Sequence, residues 1–340
     1  MPIIQKLASF IANILKFHKL KILVTLVSSL IIAVIIFPYD DLSDVLTTQI
    51  TKATGNQVYV QFEHLGINLF PTPGLSLDKV EIDTPITSSL KAGELSLSPS
   101  LPSLLLMKLE ITARLQDFLN GKLSFSFQSK KSLKETNGSG SYDISGSSLD
   151  LARLSSLASL PVSLKGQMSL DIEGNVDPTL EEPMNAEFEF DGQKVQLLPL
   201  RMDIPNFGPM DLPGLKLAQL LAKGRFLPKE GSSSRGMQNQ DLVLEDVQLG
   251  NEKDALSGKL KGRITVRMQS TGNQLNASIS DYELRVQLHA RPEAQKDFGV
   301  FLGFLDSHKK SSPSGSLYTF KVASTNPYQP PQITTLQVFQ

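Results

Sequence analysis

The sequence predicts a mainly β protein, in which an N-terminal transmembrane helix is followed by a long, curved antiparallel β-sheet with a few short helices. Three observations predict it. Residues 22–39 form an uncharged apolar run, ILVTLVSSLIIAVIIFPY. After Gly55 the apolar residues recur every second position in segment after segment, the period of half-buried strands. Glycine or proline turn signals separate those segments, as in a sheet with one apolar and one polar face.

The apolar run is 18 residues long, enough to cross a hydrocarbon core as a helix once Lys21 snorkels. Pro38 closes it beside the interfacial aromatic Tyr39. Lys6, Lys16, Lys19 and Lys21 precede the run, and Asp40, Asp41 and Asp44 follow it. The positive-inside rule then leaves the N-terminus in the cytoplasm and sends the rest across. A cleaved signal peptide fits less well, because the leader is long and no small-x-small cleavage site follows. Within residues 1–18, Ile3, Ile4, Leu7, Phe10, Ile11, Ile14 and Leu15 fall near helical spacing. They read as an interfacial helix on the inner leaflet or as an extension of the anchor.

Residues 40–54 read as an amphipathic helix with Leu42, Val45, Leu46, Ile50 and Ala53 on one stripe, Asp40 or Asp41 as cap and Gly55 as terminator. Strands follow at Val58–Phe62, His64–Phe70 and Leu75–Ile82, with a turn at Pro71–Gly74. Further alternating segments lie at 95–97, 108–115, 121–127, 166–172, 186–190, 242–249, 258–266, 282–289 and 317–322. Helices are expected at Leu149–Leu157, at Pro213–Lys223 (PGLKLAQLLAK, with proline in the first turn) and at Pro292–His308. Lys130–Gly146 and Lys229–Gln240, rich in Ser and Gly, are expected to be mobile loops. The tail from Asn326, with Pro327, Pro330 and Pro331, is expected to be irregular or extended.

Composition narrows the chemistry. Cysteine and tryptophan are absent, which removes disulfides, thiolate metal sites and cysteine nucleophiles. The histidines are His18, His64, His289 and His308, too scattered in sequence to suggest a metal cage. His64 and His289 fall in strands and read as surface or packing residues. A net charge of -1 argues against a nucleic-acid partner. No phosphate loop, dinucleotide fingerprint or nucleophile elbow is present. Gly138-Ser139-Gly140-Ser141 has no histidine partner, and Glu181-Glu182 before Pro183 reads as a solvated pair. Asn137-Gly138-Ser139 and Asn276-Ala277-Ser278 match the glycosylation sequon. The sequence therefore yields no candidate catalytic, cofactor-binding or metal-binding residue, and the expectation is a protein that is not an enzyme and needs no cofactor.

A family resemblance adds to this. The layout of a single span, a short helix, Thr54-Gly55 and then Val58-Tyr59-Val60, followed by Pro73-Gly74-Leu75-Ser76-Leu77-Asp78-Lys79-Val80-Glu81-Ile82, resembles the N-terminal signature of AsmA-like envelope proteins. The length and the late segments Tyr282–Val286, Phe298–Leu305 and Gly315–Phe320 are similar to GspN, the N protein of type II secretion systems. The resemblance covers most of residues 20–325 and carries no catalytic residues. It implies a single-pass protein of the bacterial inner membrane with the bulk of its chain in the periplasm. There it would be a non-enzymatic scaffold linking the inner-membrane platform of type II secretion to the outer-membrane secretin. The AsmA-like relatives imply a second role, lipid transfer or outer-membrane biogenesis through an apolar β-groove.

The expected organisation is thus a cytoplasmic or interfacial segment at 1–18, a transmembrane helix at 19–39, a periplasmic β-rich domain at 40–325 and an irregular tail at 326–340. Expected partners are inner-membrane lipids through residues 19–39, other type II secretion components and phospholipid in the groove. Exposed strand edges at 57–63 and 317–323 are expected docking points for an added strand.

Overall fold

The computed structural model describes residues 39–53, 58–68, 72–84, 89–132, 138–157, 162–177, 180, 182–204, 208–229, 237–271, 274–325 and 331–339, together with Lys21, Val24, Thr25, Ser28, Ser29 and Ile32. The expected span at 19–39 lies mostly outside the described residues. The six described positions within it before Tyr39 have helical backbone and exposed side chains. Among the described residues no helix is long and apolar enough to cross a membrane. Residues 1–18 lie outside the described residues.

A 3-10 turn at Tyr39–Leu42 leads into α1 (Ser43–Ala53). Strands β1 (Tyr59–Gln61), β2 (His64–Asn68), β3 (Gly74–Asp83) and β4 (Leu90–Pro99) follow, then α2 (Leu101–Leu105). Next come β5 (Lys108–Phe118), β6 (Gly121–Ser132), β7 (Gly140–Asp150), α3 (Leu151–Leu157), β8 (Leu164–Val176) and β9 (Asn185–Leu197). The hairpin β10 (Leu200–Ile204) and β11 (Gly208–Leu212) precedes β12 (Leu215–Pro228), β13 (Met237–Leu249), β14 (Leu256–Thr271) and β15 (Gln274–Ala290). The chain closes with α4 (Pro292–Gly303), β16 (Lys309–Ser312), β17 (Gly315–Ser324) and β18 (Gln332–Thr335).

Sixteen of these strands form one sheet in the order β1-β3-β4-β5-β6-β7-β8-β9-β12-β13-β14-β15-β17-β16, with β2 also on β3 and β18 also on β17. Neighbours are antiparallel throughout, so the sheet is a meander and each strand pairs with the next one long enough to join. The hairpin β10–β11 stands apart as its own two-stranded sheet. Each edge of the large sheet is split. At one edge β1 pairs with residues 81–83 of β3 and β2 with residues 74–78. At the other, β16 pairs with residues 315–318 of β17 and β18 with residues 320–323.

The expected edge at 57–63 is at the sheet margin, but α1 lies along it. Thr47 Oγ1 donates to the Val60 carbonyl at 3.1 Å, and Leu46 and Ile50 pack on Val60, Leu65 and Leu77. Such a cover blunts an edge against strand addition. The expected edge at 317–323 is not one: β17 is paired on both sides, because the tail returns as β18. The same return gives the tail, expected to be irregular or extended, a short strand at Gln332–Thr335.

Three further expectations change. Of the helix expected at Pro213–Lys223, Leu215–Lys223 is strand. In β12, Leu215 and Leu217 face inward and Lys216 and Ala218 outward, and the strand is held between β9 and β13. Good helix formers are overruled here by two flanking ladders. Lys130–Gly146 is largely strand, since β6 runs to Ser132 and β7 starts at Gly140; Ser141 and Ser145 share the strand face of Asp143. Lys229–Gln240 likewise gives up Met237–Gln240 to β13.

A line of bulges crosses one end of the sheet. Lys79, Asp117, Ser148 and Lys194 have φ of 51°, 56°, 56° and 51°, and Gly166 has 130°. Register shifts fall between Gln116 and Phe118, Gly146 and Leu149, and Lys165 and Gln167. A β-bulge moves the following side chain to the other parity. The inward series therefore changes from Leu77 to Val80, from Leu115 to Phe118, from Gly146 to Leu149 and from Gly192 to Val195. At Gly166 any side chain would meet the Gln193 carbonyl at 2.8 Å, so this bulge requires glycine. Beyond the line, Ala92, Phe118, Leu119, Leu149, Leu151, Met168, Val195 and Leu217 form a closed core with Leu154 and Leu157 of α3. Ala294, Phe298 and Leu302 of α4 form a second core against Ala290, Tyr318 and Phe320.

Candidate apolar binding face

Alongside those cores, cross-strand pairing builds one continuous apolar row. It runs Leu75, Leu97, Ala113, Phe125, Ile144, Ile172, Phe188, Gly224, Leu244, Gly262, Leu284, Val322, each directly opposite the next. At the spacing of neighbouring strands the row is about 50 Å long. Beside it runs a second row: Leu77, Leu95, Leu115, Leu123, Gly146, Leu170, Phe190, Ala222, Val247, Leu260, Val286, Phe320. Phe125, Ile144, Ile172, Phe188, Leu244 and Leu284 of the first row are only half-buried and stand outside the buried clusters. A contiguous apolar surface of this extent is a candidate binding surface.

The face is concave. Phe125 and Phe127 of β6, Tyr142 of β7, Val176 of β8 and Phe226 of β12 line one cavity of about 320 Å³ with Met184. Three strands separate β6 from β12 in the sheet, roughly 19 Å if it were flat. Their side chains share a cavity because the sheet curls. The loop after β8 bounds this end. Leu180 and Met184 are buried against Met268, Val176, Phe226 and Val266. Asp177 Oδ2 accepts from the Glu182 amide at 2.7 Å, and Gln238 Nε2 donates to the Leu180 carbonyl at 2.8 Å, which ties the loop to β13. Burial in this wall raises the pKa of the Tyr142 phenol.

The opposite face is polar and unevenly charged. Asp143 stands opposite Glu173, Glu173 opposite Glu187, and Asp171 opposite Glu189. Lys223 bonds Glu189 at 2.6 Å, and Arg225 pairs with Glu245. Near the α1 edge, the Ser89 hydroxyl at 2.6 Å, then Lys91 at 3.1 Å, lowers the pKa of Glu81.

The residues weighed in the sequence do not converge. His64 is exposed at the start of β2, and His289 meets Ser314 Oγ at 2.9 Å near the end of β15. His308 Nδ1 lies 2.6 Å from Thr335 Oγ1; His18 is outside the described residues. Ser139 is buried, its carbonyl accepting from the Lys130 amide at 3.2 Å. Glu182 pairs with Lys130 at 3.0 Å, and Glu181 is outside the described residues. Asn276 is exposed in β15, and Asn137 is outside the described residues. Among the described residues no group of three or more His, Cys, Asp or Glu is placed to hold a metal ion.

Phe125, Phe127, Tyr142, Phe188 and Phe226 are the side chains that sequence reasoning did not single out. For Phe125, Phe127 and Phe188 the signal was the aromatic alternation in GKLSFSF and AEFEF, which gives inward positions but not that Phe125 and Phe127 would share a cavity with Tyr142 and Phe226. Fold and face together define a class: a curled antiparallel meander presenting a continuous apolar surface. No protein-family model matches the chain, no curated protein matches it, and no solved structure matches it.

Proposed function

We propose that this chain is a non-enzymatic, inner-membrane-anchored periplasmic component of type II protein secretion, of the GspN kind, working through the apolar face of its sheet. Residues 19–39 tether it, and the sheet stands in the periplasm between the inner-membrane platform and the secretin. The observation that carries the reading is the continuous half-buried row from Leu75 to Val322, on a sheet whose third strand is the GLSLDKVEID segment that resembles the family. Burial of such a row stabilises a complex by about 25 cal/mol for each Å² of apolar surface covered.

The same row favours a second reading, an AsmA-like lipid-transfer or outer-membrane biogenesis factor. In it the occupant is an acyl chain, and the aromatic cavity at Phe125, Tyr142 and Phe226 is where that chain would sit. One experiment separates the two. The full chain is purified from its own membranes and examined by native mass spectrometry and lipid extraction, beside Phe125→Asp and Phe188→Asp. Stoichiometric phospholipid, lost in both variants, supports the lipid factor. A lipid-free chain that crosslinks to other secretion components, and stops doing so in the variants, supports the secretion reading. A chain that holds neither overturns both.

A further inference from the structure

The tip between β4 and β5 is the most exposed apolar feature of the described fold. Leu101, Leu105, Leu106 and Met107 are 52%, 86%, 73% and 49% exposed on or just after α2. Lys108, the next residue, is exposed as well. The nearest acid, Glu110, is turned inward to the hydroxyl of the buried Ser103. Four large apolar side chains and a cation, on a five-residue helix and the turn after it, match the layered chemistry of a bilayer interface, apolar below and anionic above.

The topology places this tip with the anchor. The turn at Tyr39–Leu42 lies against β2, and α1 continues against β1. Strand β2 pairs with residues 74–78 of β3 and β1 with residues 81–83, so the turn that follows the anchor packs on the half of the sheet edge where β3 begins, while the chain itself enters the sheet through β1 at the other half. Leu75 lies opposite Leu97, which puts the start of β3, the end of β4 and therefore α2 at that same end. Leu42 and Val45, in and just after that turn, are themselves 41% and 56% exposed.

We propose that α2 is a second membrane contact: Leu105, Leu106 and Met107 insert into the interfacial layer of the bilayer that residues 19–39 span, and so fix the tilt of the sheet on that membrane. The inference rests on the anchor reading of residues 19–39. The chain has no cysteine, so single introduced thiols label uniquely. Full-length Leu105→Cys, Leu106→Cys, Ser28→Cys and Glu252→Cys are labelled with an environment-sensitive fluorophore and reconstituted in phosphatidylethanolamine–phosphatidylglycerol vesicles. Glu252, exposed between β13 and β14 at the far end, is the aqueous reference. The expected result is blue-shifted emission, loss of iodide quenching and quenching by spin-labelled lipid at 105, 106 and 28, but not at 252. Lipid contact at 28 with aqueous probes at 105 and 106 overturns the proposal and leaves the anchor standing. An aqueous probe at 28 overturns the anchor, and the proposal with it, whatever the probes at 105 and 106 report. Probes at 105 and 106 shielded from iodide yet untouched by lipid quenchers show a protein contact and overturn the proposal.

Discussion

Phe188 lies directly opposite Gly224 in the first apolar row, and its ring covers the glycine. A Cβ at 224 would stand 2.7 Å from Phe188 Cζ and 2.4 Å from the Val243 carbonyl oxygen. The backbone oxygen cannot yield as a ring can. Gly224→Val is therefore expected to destabilise the fold by about 2 kcal/mol, and Phe188→Ala combined with it to recover only part of the loss. Denaturant unfolding of the two variants checks this; full recovery in the double variant would show that the ring alone excludes a side chain.

Lys194 holds a left-handed φ of 51° within the bulge that turns Val195 into the closed core. Asparagine tolerates that conformation and a β-branched residue does not. Lys194→Asn is expected to raise stability by about 0.5 kcal/mol and Lys194→Val to lower it by about 1 kcal/mol. The opposite signs are the test, read by thermal unfolding. Equal effects would place the cost elsewhere than in the backbone.

Glu173 faces Asp143 on one side and Glu187 on the other. Like charges directly opposite one another weaken a ladder. Glu173→Gln is expected to stabilise by about 0.5 kcal/mol at low salt, with the gain shrinking as salt screens the repulsion. Melting temperatures at low and high ionic strength decide it, and a salt-independent gain would point to packing.

Burial of Tyr142 in the cavity wall holds its pKa above that of a free phenol. The folded state binds this proton more tightly than the unfolded state does. Its contribution to stability is therefore complete below about pH 10, the unfolded value, and is lost as pH rises through the folded value. The ultraviolet titration of phenolate, taken as the difference between the native chain and Tyr142→Phe, is expected to show a midpoint above about 10 that returns to normal in denaturant. A midpoint at the ordinary value in the folded chain would show a solvated cavity.

Much of this architecture is legible in the residues. Val60 and the alternation from Leu75 to Leu77 carry period two, and β1 and β3 form there with those residues inward. Pro292 starts a helix as expected, with Ala294, Phe298 and Leu302 on its buried face. The binding face was legible only in part, since alternation says that Phe125, Phe188 and Phe226 point one way but not that one cavity joins Phe125 to Phe226.

The sequence by itself determined the β class and the positions of strands such as β3, β6, β9 and β14, because a side-chain period of two is a local property of the pleat. Only the tertiary structure decided that LKLAQLLAK is a strand, for its composition suits a helix and the choice was made by the β9 and β13 ladders on either side. The tertiary structure also set the bulge line, which has a glycine at Gly166 but otherwise falls at Lys79, Asp117, Ser148 and Lys194. Those residues take a strained φ because the flanking ladders fix their neighbours on both sides, and no local signal in the chain records that constraint.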